Sequence, residues 1–245
     1  MKEKIYAEYI GSDESGVGDY FGPLVVAAVS WSDKIDSTLR DKGIRVRDSK
    51  TLSNKYINWA GKKLISFLDF EVFIFDNPLY NRMIEMGFNQ NVLKTLGHLA
   101  VISLLLKQRG RRKRIIVDSY ANFKNISKYL SQLSSLRATF SAINLSIPII
   151  SEWIFVKRAE ESYAGVAAAS MISRFFFLQE MDKLSKKASL RLPLGSGKNT
   201  TDFLQNIVVI IRNKQNFANF INRFAKFHFR LTRFFLDKNK NRLQN

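Results

Sequence analysis

The sequence predicts an α/β fold. Strand-like runs come first, later strands alternate with helical periodicity, and no internal repeat or Pro- or Ser-rich linker divides the 245 residues. One domain over residues 1–245 is therefore expected, with the last helices packed onto it and a polar tail over about 237–245.

Each element has a local reason. Ile5 to Asp13 is rich in β-formers (Ile5, Tyr6, Tyr9, Ile10), and glycines follow it. Gly16 and Gly18 mark a tight turn. Pro23 to Trp31 is a second, buried strand, expected to pair with the first as a hairpin. Thr51 to Leu68 has helical spacing at Leu52, Tyr56, Trp59, Leu64 and Leu68. Glu71 to Phe75 is a short strand stopped by Asn77-Pro78. Gln90 to Gln108 is a helix, Arg114 to Val117 a buried strand ending in Asp118, and Ala121 to Ser134 another helix. Ile149 to Val156 is a strand. Ala164 to Leu184 is a helix whose small N-terminal residues suit close packing on a sheet. Asp202 to Arg212 and Asn216 to Phe235 complete the helices.

Composition narrows function. Hydrophobic content of 46% and charged content of 24% are ordinary for a soluble globular chain. With no cysteine, disulfides and Cys-ligated zinc are excluded, as suits a reducing cytoplasm. The start, Met1-Lys2-Glu3-Lys4-Ile5, has no apolar stretch of signal-peptide type, and the longest apolar runs are far shorter than a bilayer span. A cytoplasmic protein with no membrane association is expected. A formal charge of +18 repels itself unless a polyanion offsets it, and nucleic acid is the commonest such partner.

Three acidic sites stand at element ends: Asp13-Glu14, Asp118, and Glu160 after the Val156 strand. Neighbouring strand ends converge where α/β folds place ligands. Clustered carboxylates repel unless a cation compensates, and hard oxygen ligands favour Mg²⁺ or Mn²⁺. Two such ions roughly 3.5–4 Å apart would supply both an activated water and a stabilised leaving oxygen for phosphodiester hydrolysis. Taken singly, an acid at a strand end is usually a solvated cap. Adjacent strand residues face opposite ways, so Asp13 and Glu14 can share a site only if the strand breaks there.

As a set, the residues resemble a known family. Gly11-Ser12-Asp13-Glu14-Ser15-Gly16-Val17-Gly18-Asp19-Tyr20-Phe21-Gly22-Pro23 resembles the signature of ribonuclease HIII, in the ribonuclease H type-2 superfamily. Asp48-Ser49-Lys50-Thr51-Leu52 is similar to its D-S-K-x-L. Tyr80-Asn81, Asn89-Gln90-Asn91 and His98 are similar to its Y-N, N-x-N and H positions. Val117-Asp118, Ala159-Glu160 and the run from Val166 to Arg174 resemble later motifs. Ala225-Lys226-Phe227-His228-Phe229 resembles the A-K-x-H-F of its last helix.

The resemblance implies a ribonuclease H-like fold, a mixed five-stranded sheet flanked by helices. It implies endonucleolytic cleavage of the RNA strand of RNA–DNA hybrids, leaving 5′-phosphate and 3′-hydroxyl ends. It implies Mg²⁺ or Mn²⁺ held by Asp13, Glu14, Asp118 and Glu160, with Asp13 bridging two ions and Glu14 assisting through side chain, carbonyl or water. Gly16, Val17 and Gly18 would lie along the RNA in the minor groove; Lys50 and Lys226 would also contact substrate. A monomer without an obligate protein partner is expected. The alternatives are cleavage at single ribonucleotides in duplex DNA, as in ribonuclease HII, and a basic nucleic-acid-binding protein with weak catalysis.

Departures from the pattern are Val17 for Thr, Ser119-Tyr120 for Gln-Phe, Glu161 for Ser and Leu194 for Lys. The family's usual N-terminal substrate-binding domain is expected to be lacking, since the first core strand is expected to start at Ile5. The basic run from Lys107 to Arg114 and the tail with Lys238, Lys240 and Arg242 are candidates to compensate. His98 and His228 suit hydrogen bonding and support better than chemistry. Phe175-Phe176-Phe177 reads as core, and Gly195-Ser196-Gly197-Lys198 lacks the rest of a P-loop.

Overall fold

A computed structural model describes residues 8–109, 114–134, 153–211 and 213–238. The chain divides into two compact units: Met1–Ser15, Val25–Ile74 and Gln90–Phe176 form the first, and Gly16–Leu24, Phe75–Asn89 and Phe177–Asn245 the second.

The first unit holds the sheet. Strands β1 (Glu8–Ser15), β2 (Leu24–Ser32), β3 (Phe70–Phe75), β4 (Arg114–Asp118) and β5 (Trp153–Val156) lie in the order β3-β2-β1-β4-β5. β1 and β2 form the expected antiparallel hairpin, while β4 runs parallel to both β1 and β5. The sheet is thus mixed and five-stranded, as the resemblance implied. β2 is buried on both faces from Leu24 to Trp31, which explains its unbroken apolar sequence.

Helices α1 (Asp33–Asp41), α2 (Asn54–Phe67), α4 (Gln90–Arg109), α5 (Phe123–Ser134) and the first half of α6 (Ala164–Ala188) complete this unit. The small residues opening α6 do what their size suggested. A Cβ on Gly11 of β1 would collide with the backbone of Gly165 and Val166, so strand and helix touch backbone to backbone. The Tyr9 hydroxyl accepts the Gly165 N–H at 2.8 Å.

The second unit contains α3 (Asn77–Glu85), the rest of α6, α7 (Lys198–Ile210), α8 (Lys214–Phe224) and α9 (Arg230–Lys238). Among the described residues no helix is long and apolar enough to cross a membrane.

Four expectations are corrected. β1 does not end at Asp13 but stays paired through Glu14 and Ser15. The helix expected from Thr51 starts at Asn54, because Ser53 caps it and Ser49–Thr51 forms a tighter 3-10 turn. The single helix expected over Asn216 to Phe235 is two: Ala225 leaves α8 in extended conformation and pairs with Phe21, so the Ala225-to-Phe229 motif is a connection. α1 and α3 had not been anticipated; polar N-caps Ser32 and Asp76 open them, and Pro78 stands in the first turn of α3 rather than simply stopping β3. Residues 5–7, 110–113, 149–152 and 239–245, on which parts of the expected first and last strands, the basic run and the tail fall, lie outside the described residues.

Candidate metal centre

β1 and β4 run side by side to the register pair Ser12 and Val117. The next residue on each is an acid, Asp13 and Asp118, so parallel pairing brings two carboxylates together at the strand ends. Asp13 shares its strand face with Gly11, the residue pressed on α6. There Ser170 of α6 hydrogen bonds to the Asp13 carboxylate, and its hydroxyl lies 2.8 Å from that of Ser49. Asp13 Oδ1 also accepts the Glu14 N–H at 2.7 Å. Burial pushes the Asp13 carboxyl well above its usual range, and the charges of Glu14 and Asp118 push the same way.

Asp118 Oδ1 accepts the Ala159 N–H at 3.0 Å, which ties the 3-10 turn Ala159–Glu161 to the end of β4. Arg158 enters that turn in the left-handed region, φ 54°. The turn delivers Glu160, whose pKa is raised by burial and by the charges of Asp118 and Asp48. Its Oε2 is buried without a hydrogen-bond partner. The neighbouring Glu161 points elsewhere and pairs with Arg158.

Lys50 sits in the Ser49–Thr51 turn, which Asp48 caps through the Lys50 N–H at 3.0 Å. Burial acts to lower its pKa, but Asp13, Asp48, Glu160 and Asp118 outweigh that and raise it. One lysine thus answers the same group of acids.

Glu14 takes the opposite face, since β1 does not break. Its carboxylate receives Lys94 Nζ at 2.8 Å and lies 3.1 Å from His98 Nε2. His98 Nδ1 is 2.7 Å from Ser12 Oγ, and Ser12 also donates to the Ala27 carbonyl at 2.8 Å. Tyr120 stacks parallel on His98 with centroids 5.3 Å apart, beneath Lys94 Nζ, and its hydroxyl meets Thr95 Oγ1 at 2.8 Å. Burial alone would raise the Glu14 pKa, but His98 and Lys94 bring it down to about 2.

Sequence reasoning had foreseen a hydrogen-bonding His98. It had missed Lys94 and the roles of Ser12, Ser170, Asp48 and Tyr120. The available signals were the i,i+4 spacing of Lys94 and His98 on α4 and the strand alternation of Ser12 with Glu14.

Can these residues hold a divalent cation? Among the described residues no three Asp, Glu or His side chains already enclose a point as a metal-ligand set. The donors present are nonetheless hard oxygens, and Asp13, Asp118 and Glu160 interact electrostatically in succession. The unpartnered Glu160 Oε2 and the raised Asp13 and Glu160 pKa values are deficits that a cation would relieve.

In the second unit the glycine segment is held from within. Gly16 has φ 86°, and a Cβ there would collide with the Pro23 carbonyl, so this turn requires glycine. Gly18 is exposed and Val17 half-buried. Lys226 is completely buried: its Nζ donates to the Asp19 and Gly22 carbonyls at 2.8 and 2.6 Å, and its N–H to the Tyr20 carbonyl at 2.9 Å. The expected direct contact of Lys226 with substrate is therefore corrected: its ammonium is spent on the turn. Asn81 donates to the Ala225 carbonyl at 2.9 Å and accepts the Phe227 N–H at 3.1 Å. His228 packs on the Tyr80 ring. Phe177 is fully buried, as expected of core.

The comparisons agree in direction. The sequence profile of the family described as Ribonuclease HII matches residues 10–232. Ribonuclease HIII of Bacillus velezensis is 34% identical over 222 residues, 90% of this chain and 64% of the relative. Ribonuclease HIII of Bacillus licheniformis is 37% identical over 190 residues, 77% of this chain and 56% of the relative. The chain thus spans less than two thirds of the length of these relatives. Among solved structures, Bst-RNase HIII in complex with Mn²⁺ aligns with a TM-score of 0.80 at 30% identity, over 96% of this chain and 71% of that one. The ribonuclease H2 of Pyrococcus horikoshii OT3, at 22% identity and a TM-score of 0.69, shares the fold.

Proposed function

The chain belongs to the ribonuclease HII family, and from that premise we propose that it is an endoribonuclease that hydrolyses the RNA strand of RNA–DNA hybrids. The observation that carries this is the gathering of Asp13, Asp118 and Glu160 around Lys50 at the ends of β1 and β4 and the turn after β5.

Asp13, Asp118 and Glu160 would hold Mg²⁺ or Mn²⁺, and Glu14 would support them from the other face of β1. Bound there, the ions would lower the pKa of the attacking water and stabilise the departing oxygen. Asp13 would be a ligand to such ions because it is buried, hydrogen bonded to Ser170 and close enough to Asp118 to feel its charge. Ser170 and the Glu14 N–H fix its carboxylate before any substrate arrives. Lys50, held by the Asp48-capped turn, would meet a substrate phosphate. The exposed Gly18, with Gly16 and Val17, would offer backbone groups to the sugar-phosphate chain. The products would carry 5′-phosphate and 3′-hydroxyl ends. We place its action in the cytoplasm, with which a chain free of cysteine is compatible. We also read the chain as a monomer, which sedimentation would check.

The deciding assay compares a long RNA–DNA hybrid with a DNA duplex holding one ribonucleotide, with and without Mg²⁺ or Mn²⁺. Metal-dependent cutting within the hybrid is expected. Cutting only at the single ribonucleotide would replace this reading with the ribonuclease HII type, and salt-sensitive binding without cutting would remove the enzymatic claim.

A further inference from the structure

Helix α2 buries Ile57, Ala60, Gly61 and Leu64, and leaves Lys55, Trp59, Lys62 and Ser66 exposed along one stripe at helical spacing. Trp59 is 43% exposed, against 3% for Trp31 and 6% for Trp153. Its indole is held by neighbours: Lys63 Nζ lies 4.3 Å from the ring centroid and the Tyr56 ring is 5.4 Å away. The Tyr56 hydroxyl is fixed by the Arg45 N–H and carbonyl, both at 3.1 Å, so the platform is braced against the segment leading to Lys50. The charge here is one-sided. Residues 42–68 contain seven Lys and Arg and a single acid, Asp48, which is engaged in capping.

A braced, exposed indole with one lysine against it and two more on the same exposed helix stripe is the chemistry that takes an unpaired base on a ring face and phosphates on ammonium groups. A duplex offers no free base face, and a protein partner would leave the lysines unanswered unless strongly acidic. We propose that the Trp59 face of α2 is a second nucleic-acid contact, binding a single-stranded segment outside the acid centre by stacking on Trp59 and by phosphate contacts to Lys55, Lys62 and Lys63. The claim goes beyond the proposed cleavage and builds on the same reading of the chain as a nucleic-acid enzyme. Arg45 and Lys50 place this face on the same stretch of chain as the phosphate-binding lysine, so a strand flanking a hybrid is the natural ligand.

The test uses the full chain without divalent metal and a fluorescein-labelled 12-mer of thymidylate, which the enzyme cannot cut. Because the other two tryptophans are buried, quenching of intrinsic fluorescence by the unlabelled 12-mer reports on Trp59, and quenching is expected. By anisotropy, Trp59→Ala should weaken binding about 5- to 30-fold, while Trp59→Phe, which keeps a stacking ring, should stay within about threefold of the parent. Lys62→Ala with Lys63→Ala should flatten the salt dependence. Circular dichroism confirms that each surface variant is folded. Absence of quenching, or Trp59→Ala binding within twofold of the parent, overturns the proposal. So does a Trp59→Ala variant whose only change is loss of self-association in sedimentation, since the face would then join copies of the chain. Hybrid cleavage is read separately: failure of oligonucleotide binding with intact cleavage rejects this contact alone, and the reverse rejects the proposed reaction alone.

Discussion

Asp13 and Glu14 are neighbours in sequence but serve different environments, and each makes a separate prediction. Asp13 faces Ser170, Asp118 and Lys50 on the α6 side. Asp13→Asn keeps its size and loses its charge, so hybrid cleavage should fall at least about 100-fold, the scale seen when a charge-stabilising group is lost from a site. Folding should survive. Near-normal turnover in a folded Asp13→Asn chain would remove Asp13 from the chemistry. Glu14 predicts an acid limb of stability instead. Its folded pKa is depressed to about 2 from an ordinary 4.5, so the unfolded chain takes up this proton first as pH falls. The stabilisation is fully present above about 4.5 and is lost as pH falls through about 2. Urea unfolding of metal-free protein across that window should show a steeper loss than Glu14→Gln does. Equal slopes would mean that Lys94 and His98 do not hold the charged carboxylate.

At the scale of elements, the polar lock joining β1, α4 and the Tyr120 segment is where sequence reading fell short. The acids themselves were legible as candidates from motif order, although only Asp118 closes a strand: Asp13 lies within β1 and Glu160 in the turn after β5. The facing of Glu14 was not, because strand alternation gives two faces without saying whether a following glycine turn interrupts them. Pairing of Glu14 with Val26 keeps the strand regular to Ser15, and so turns the carboxylate toward α4. The break between α8 and α9 was hidden for a related reason. The Ala225-to-Phe229 segment is apolar enough to continue a helix, and only its pairing with Phe21 and the burial of Lys226 on distant carbonyls pull it out. Long-range hydrogen bonds overrode local propensity. The lock can be tested by removing one partner. Lys94 and Glu14 side chains are only 8% and 9% exposed, so Lys94→Met leaves a largely buried carboxylate short of its cation. A loss of about 3 kcal/mol in unfolding free energy is expected. Adding Glu14→Gln to that variant should recover part of it, because the uncompensated charge is then gone. If the double variant is no more stable than Lys94→Met, the ion pair is not what holds these elements together.

For the molecule as a whole, the governing quantity is a charge of +18 on 245 residues. A cluster of carboxylates within so basic a chain is a local exception, so the proposed nucleic-acid affinity and metal binding would draw on different residues and respond differently to salt. Binding of a hybrid should weaken linearly in log–log terms as salt rises, with a slope set by the number of phosphates neutralised. The basic run from Lys107 to Arg114 bears on this, although residues 110–113 lie outside the described part of the fold. If Arg111, Arg112 and Lys113 each meet a phosphate, changing all three to Ala should reduce the slope by about 3, roughly one per contact, and weaken binding most at low salt. Cleavage at saturating hybrid should change far less, because none of the three is among the acids proposed to hold the metal. Anisotropy titrations of a non-cleavable hybrid at four or five salt concentrations, parent beside variant, measure this directly. Parallel lines would show the run to be solvated charge that the hybrid does not touch, and would shift the search for phosphate contacts to Lys50 and the lysines of α2.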